Sequence, residues 1–160
     1  MKEIPLTRGY VAFVSDADYE RVSQRKWQAQ VSKKQKQVYA QATIKDQKVL
    51  LHRFILGITD PLVFVDHRDG NGLNCQRDNL RPCNNGQNVS NQPKRVGTAG
   101  KYKGVYSHYG KWQAQISYRM KIRSLGTFKN EEDAARAYDA AARSHYGEFA
   151  RCNFPLAEEL

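Results

Sequence analysis

Apolar and polar positions alternate in several short runs separated by turn residues, and one stretch near the C-terminus carries a sustained helical period. In Lys111–Ser117 (KWQAQIS), Trp112, Ala114 and Ile116 fall on one face and Lys111, Gln113, Gln115 and Ser117 on the other, the two-residue period of a half-buried strand. Gly104–Ser107 and Lys121–Thr127 flank it as further strands, with Tyr109-Gly110 as turn residues and the third strand ending at Gly126. From Asn130 the period changes. Ala134, Ala135, Tyr138, Ala141, Ala142 and His145 recur at helical spacing, with Asn130 as N-cap, Asp133 at the capping-box position, acids in the first turn and Gly147 as C-cap. Three strands and one alanine-rich helix predict a thin two-layer unit whose small helical face permits close packing.

The first 60 residues read in a similar way. Tyr10–Val14 is strand-like, Asp16–Arg25 a short helix capped by Ser15 or Asp16, and Lys26–Ser32 and Val38–Ile44 a strand pair around the basic turn Lys33-Lys34-Gln35-Lys36. The heptapeptide KWQAQVS at 26–32 echoes KWQAQIS at 111–117 with a single Val/Ile exchange. Duplication and common strand physics both explain it. The order of helix and sheet differs between the two regions, which favours common physics. The segment from Gln92 to Gly100 has one Pro, two Gly and no apolar period, and reads as a linker. The fold class expected is α+β.

Composition narrows the function. The chain has 160 residues with 26 Lys+Arg against 16 Asp+Glu, a formal net charge of +10. Its 40% hydrophobic content is ordinary for a globular protein and too high for a disordered one. No apolar run approaches the roughly 18 residues of a membrane span, and the N-terminus lacks the apolar core of a signal peptide. Three cysteines without C-x-x-C argue against a disulfide framework or a four-thiolate zinc site. A basic cytoplasmic protein with a polyanionic partner and no small-molecule substrate is expected. The charge is also local: residues 101–123 hold Lys101, Lys103, Lys111, Arg119, Lys121 and Arg123 and no acid. Such a face suits a phosphate backbone, and a solvated edge hairpin explains the same cations.

Candidate chemistry lies between these regions. An apolar strand, Val63–Val65, breaks at Asp66-His67 into a turn-rich loop, followed by Asn79 and by Asn88 in a second polar segment. Phosphodiester hydrolysis needs a base near neutral pH, charge neutralisation and help for the leaving oxygen. A neutral imidazole supplies the first, and a hard cation held by few oxygens supplies the others. Asp66 and Asn88 offer such oxygens, suiting magnesium or manganese, and Asn79 can bond backbone or imidazole and so orient His67.

VDHRDGNGLNCQRDNLRPCNNGQN, at 65–88 with its lead-in LHRFILGI, resembles the HNH (ββα-metal) motif of phage and intron-encoded homing endonucleases. The resemblance implies His67 as general base, Asn79 as structural asparagine and Asp66 and Asn88 as ligands of Mg2+ (or Mn2+), with Asn88 standing where many members carry His. His52 is an additional group there, more simply a buried structural histidine. The segment YKGVYSHYGKWQAQISYRMKIRSLGTFKNEEDAARAYDAAARSHYGEFARCNFP resembles the ethylene-response-factor (Apetala-two) DNA-binding domain, which also occurs fused to HNH nucleases in phages. That resemblance implies a sheet lying in the major groove, with Lys103, Tyr106, His108, Gln115 and Ser117 at contact positions. Lys111, Gln113, Arg119, Lys121 and Arg123 complete the expected DNA-binding set. Gln113 or Gln115 pairs with adenine, and Lys111, Lys121 and Arg123 meet phosphate or guanine.

The division that follows is a β-rich unit at 1–50, an HNH motif at 51–92, a linker at 93–100 and an ethylene-response-factor-type domain at 101–155. The leading expectation is a metal-dependent, site-directed DNA endonuclease in a bacterial or phage-infected cell, acting on double-stranded DNA. It would nick one strand as a monomer and cut both as a dimer. The alternative is a sequence-specific DNA-binding regulator with a vestigial nuclease motif. An RNA-binding structural protein explains the charge and not the motif.

Overall fold

The computed structural model describes residues 1–32, 37–94, 97 and 100–156. The basic turn Lys33–Lys36 and half of the expected 93–100 linker lie outside the described residues. The chain divides into two compact units, Met1–Asn84 and Asn85–Leu160. The division falls inside the 51–92 stretch that the motif resemblance treats as one element.

The first unit runs β1 (Lys2–Pro5), β2 (Val11–Val14), α1 (Asp16–Ser23), β3 (Gln28–Ser32), β4 (Gln37–Ile44), β5 (Gln47–Leu50), α2 (Leu51–Leu56), β6 (Phe64–His67), β7 (Asn74–Cys75) and β8 (Leu80–Cys83). It holds an antiparallel β3-β4-β5 sheet, a β1-β2-β7 sheet with β7 parallel to β2, and the antiparallel pair β6-β8. Ile4, Val14, Val22, Trp27, Leu51 and Ile55 form its core. A buried carboxylate needs partners to offset its lost hydration. Asp18 has them: Arg77 donates to it from Nε and Nη2 at 2.7 and 2.8 Å, and Arg21 from Nη2 at 3.0 Å. Both guanidinium groups also donate to the Ile55 carbonyl, so α1, α2 and the loop before β8 are fastened at one point.

The second unit comprises α3 (Asn85–Ser90), β9 (Val105–His108), β10 (Lys111–Tyr118), β11 (Lys121–Phe128) and α4 (Glu131–Tyr146). Its sheet is antiparallel in the order β11-β10-β9. The sequence expectation of three strands and one alanine-rich helix is met. Ala134, Ala135, Tyr138 and Ala142 of α4 are buried, as are Val105, Ala114 and Ile116 of the strands. Close approach fixes Gly104: at φ +75° a Cβ there would meet the Tyr138 ring at 2.0 Å. Asn130 occupies the N-cap position, but its amide donates to the Asp133 carboxylate (3.1 Å) rather than accepting from the backbone. Asp139, buried in mid-helix, accepts from the Asn153 and Phe154 amides at 2.8 Å each, and the Asn153 side chain accepts from Lys103 N at 2.7 Å. The NFP stretch is thereby tied to α4 and to the strand entrance.

Candidate nucleic-acid interface

In an antiparallel sheet, residues directly opposite each other share a face. β10 opposes Lys111 to His108 and Gln113 to Tyr106 on β9, and Gln113 to Thr127, Gln115 to Ser124 and Ser117 to Ile122 on β11. Those nine residues lie on the side away from α4. The inward set is Trp112, Ala114, Ile116 and Tyr118, opposed by Phe128, Gly126, Arg123 and Lys121.

That register also decides which face carries the cations of β11. Uninterrupted alternation along β11 puts Lys121 and Arg123 on the same face as Gln113 and Gln115. The register instead shifts between Ala114 and Gln115, leaving Leu125 as an extra residue beside Gly126 at φ +124°. One inserted residue moves every following side chain to the opposite face. Arg123 therefore lies on the α4 side with its guanidinium 5.4 Å from the Tyr118 ring, and Arg119, in the turn, sits 5.3 Å from the same ring. Tyr118 stacks on His145 of α4 at 4.2 Å. Ile122 lies on the outer face and is 75% exposed.

On the outer face a chain of hydrogen bonds orders the amides. Gln115 Nε2 donates to Gln113 Oε1 at 2.7 Å, and Gln113 Nε2 donates to Ser124 Oγ at 3.2 Å. Tyr106, Ser117 and His108 are exposed beside them, and Lys111 marks the margin opposite His108. Lys103 is engaged elsewhere. Its ammonium donates to the Gln92 carbonyl at 2.7 Å and to the Ser90 carbonyl at the end of α3, and burial lowers its pKa to about 8.

Asp66, His67 and Asn79 of the candidate constellation lie in the first unit. Asp66 and His67 end β6 as a buried pair, 4% and 6% exposed. Arg81, opposite Asp66 on β8 and also buried, donates to the Asp66 carboxylate through Nε (3.1 Å) and Nη2. A carboxylate so paired is a poor ligand for a hard dication. Asn79 accepts from Asp69 N (3.0 Å) and donates to Asp69 Oδ1 (3.0 Å) and to the Asn74 carbonyl (2.8 Å). It therefore staples the 69–74 loop, and the orientation of His67 is set by other neighbours. The His67 ring meets His52 edge-on at 5.0 Å and Tyr39 at 5.9 Å, with Cys75 Sγ 3.9 Å from Nε2. Burial lowers the pKa of His67 to about 4 and of His52 to about 3, and raises Cys75 to about 12. Asn88 sits on α3, half-buried, in the second unit. Among the described residues no group of three or more His, Cys, Asp or Glu is placed to hold a metal ion.

No family model matches the chain. Several curated plant proteins match part of it. An AP2/ERF and B3 domain-containing protein of rice is 50% identical over 60 residues, 37% of this chain and 16% of the rice protein. Ethylene-responsive transcription factor 3 of tobacco is 48% identical over 59 residues, 35% of this chain and 26% of its own. Dehydration-responsive element-binding protein 2A of Arabidopsis thaliana is 46% identical over 52 residues, 31% and 16% of the two chains. The chain thus spans about a quarter or less of the length of these relatives. They correct the leading sequence expectation: the tobacco protein is named as a transcription factor, the Arabidopsis protein as an element-binding protein and none as a hydrolase, which speaks against the endonuclease reading. They are also plant proteins, which removes support for a bacterial or phage setting. Among the described residues no helix is long and apolar enough to cross a membrane. What the relatives support is an ethylene-response-factor (AP2/ERF) DNA-binding domain within this chain.

Proposed function

We propose that this protein is a sequence-specific DNA-binding regulator that reads double-stranded DNA with the outer face of the β9–β11 sheet. The observation that carries the reading is this face itself: ordered amides and hydroxyls, with no Asp or Glu from Lys101 to Asn130, in a chain whose relatives include a transcription factor and an element-binding protein. Side-chain amides and hydroxyls can form hydrogen bonds with base edges in the major groove. Lys111 and His108 at the margin, and Arg119, Lys121 and Arg123 around the hairpin, are the groups for flanking phosphates. In the first unit Asp66, His67 and Asn79 serve the interior: an ion pair with Arg81, a ring contact with His52 and a loop staple.

The test is selection of bound duplexes from a random library by the full chain, followed by titrations at several salt concentrations. One enriched motif is expected, with log affinity falling linearly against log salt by about 0.9 per phosphate neutralised. Supercoiled plasmid incubated with the protein and magnesium should stay supercoiled. Recovery of no motif, or nicking that tracks the protein, would overturn the reading.

A further inference from the structure

The outer face is poor in the side chains that read G·C pairs and carries those that read A·T. Guanine is read by Arg or Lys at O6 and N7 and cytosine by Asp or Glu at N4; adenine is read by Gln or Asn at N6 and N7, and thymine by apolar contact with its methyl group. The one-residue shift at Leu125 has turned Arg123 and Lys121 to the α4 side, and Lys103 is held by backbone carbonyls. Lys111 remains, at the margin. Gln115 stands on the central strand and, diagonally across from it, Ile122 on the edge strand β11 near the hairpin turn.

We infer, building on the DNA-reading role proposed above, that the sites this sheet recognises are A·T pairs, with Gln115 reading adenine and Ile122 a thymine methyl. The amide geometry suits the first role. An amide has two N–H donors and a carbonyl acceptor. Gln115 uses one N–H on Gln113 Oε1, which leaves a second N–H and Oε1 for adenine N7 and N6–H. Gln113 is bonded at both ends of its amide within the face, accepting from Gln115 and donating to Ser124. It is a positioning residue, holding the orientation of the reading amide. Exposure suits the second role. Ile122 leaves 75% of its surface to water beside the polar side chains of the outer face, where an apolar partner would relieve it. Diagonal neighbours on paired strands lie about 7–8 Å apart. With base pairs spaced about 3.4 Å along each strand, the two readers span about two steps.

The experiment replaces thymine by uracil, position by position, in the best duplex selected by the full chain; uracil keeps every hydrogen bond and removes only the methyl group. At one position wild type should lose about fourfold in affinity, the worth of one buried methyl group. Ile122→Ala should bind the two duplexes equally. Gln115→Ala should lose about 5- to 150-fold at one A·T position, and Gln113→Ala should lose less, spread over the same position. Ile122 is exposed, so its variant should keep the wild-type unfolding midpoint, which separates lost contact from lost fold. Enrichment of G·C at the contacted positions overturns the inference, as does thymine–uracil discrimination surviving in Ile122→Ala. Those two results leave a sequence-specific regulator standing, whereas recovery of no motif removes the regulator itself.

Discussion

KWQAQVS at 26–32 and KWQAQIS at 111–117 share six of seven residues and have become different strands. The second copy is the centre of its sheet, with β9 on one side and β11 on the other, and α4 covers its apolar face. Ala114 and Ile116 are 0% and 3% exposed there. The first copy supplies β3, at the edge of its sheet with β4 as its one strand neighbour among the described residues, and Val31 is 36% exposed. The tryptophans reverse the order. Trp27 is 3% exposed, donates from Nε1 to the Val22 carbonyl at 3.0 Å and meets Phe54 edge-on, whereas Trp112 is half-buried. Alternation thus assigns each residue to a face, and the neighbours of the strand decide how deeply that face is covered. The surroundings differ as well. Beside β4 the first unit buries two histidines and an Asp–Arg pair, while α4 offers the second unit mostly alanine methyl groups.

The largest expected effect separates the two regions by acid. His52 and His67 are held neutral by burial, with pKa values near 3 and 4 against an ordinary value near 6.5. Below pH 6.5 the unfolded chain takes up protons that the folded chain refuses, so stability is fully present above that pH and is lost as pH falls toward 4. Each histidine costs about 1.4 kcal/mol per pH unit in that window, before any relaxation of the cluster. Amide exchange or tryptophan fluorescence between pH 7 and 4.5 should find the first unit opening before the second. A simultaneous loss of both would mean that the histidine cluster does not limit the first unit.

Next in size is truncation of the same position in each copy. Ile116→Ala removes a side chain packed beneath α4 and should cost about 2–4 kcal/mol. Val31→Ala, at a partly exposed edge, should stay within about 0.5 kcal/mol. Urea midpoints for the two variants test the contrast, and equal shifts would show that edge and centre bury these residues alike.

How much of this was legible beforehand depends on the length scale of the signal. The two-residue period in KWQAQIS and the alanine spacing from Ala134 to Ala142 are local and strong, and both elements stand where they were expected. The inversion of Arg123 and Lys121 turns on one extra residue, Leu125; Gly126 beside it was the visible hint of a bulge. Asp66 was legible as important and illegible in role. Its partner Arg81 is 15 residues away and becomes its neighbour only through the β6–β8 register, so local spacing gave no sign of the ion pair. The short strand β1 and the helix α2 carry too few turns of periodicity to stand out, and packing against the first core holds them in place.

The smallest expected effect compares the glutamines in fifth place, Gln30 and Gln115. Both project from the polar side of their strand, opposite Tyr39 in one case and Ser124 in the other. Only Gln115 belongs to an ordered amide chain on the sheet proposed to meet DNA. Gln115→Ala should therefore weaken binding to the selected duplex by about 1–3 kcal/mol and relax preference at one base pair, with the salt slope unchanged because no phosphate contact is lost. Gln30→Ala should leave affinity, preference and slope at wild-type values. Parallel titrations of both variants against the selected duplex and a scrambled one decide it. If Gln30→Ala loses preference and Gln115→Ala does not, the heptapeptide that reads DNA is the first copy, and the edge strand β3 is the recognition element.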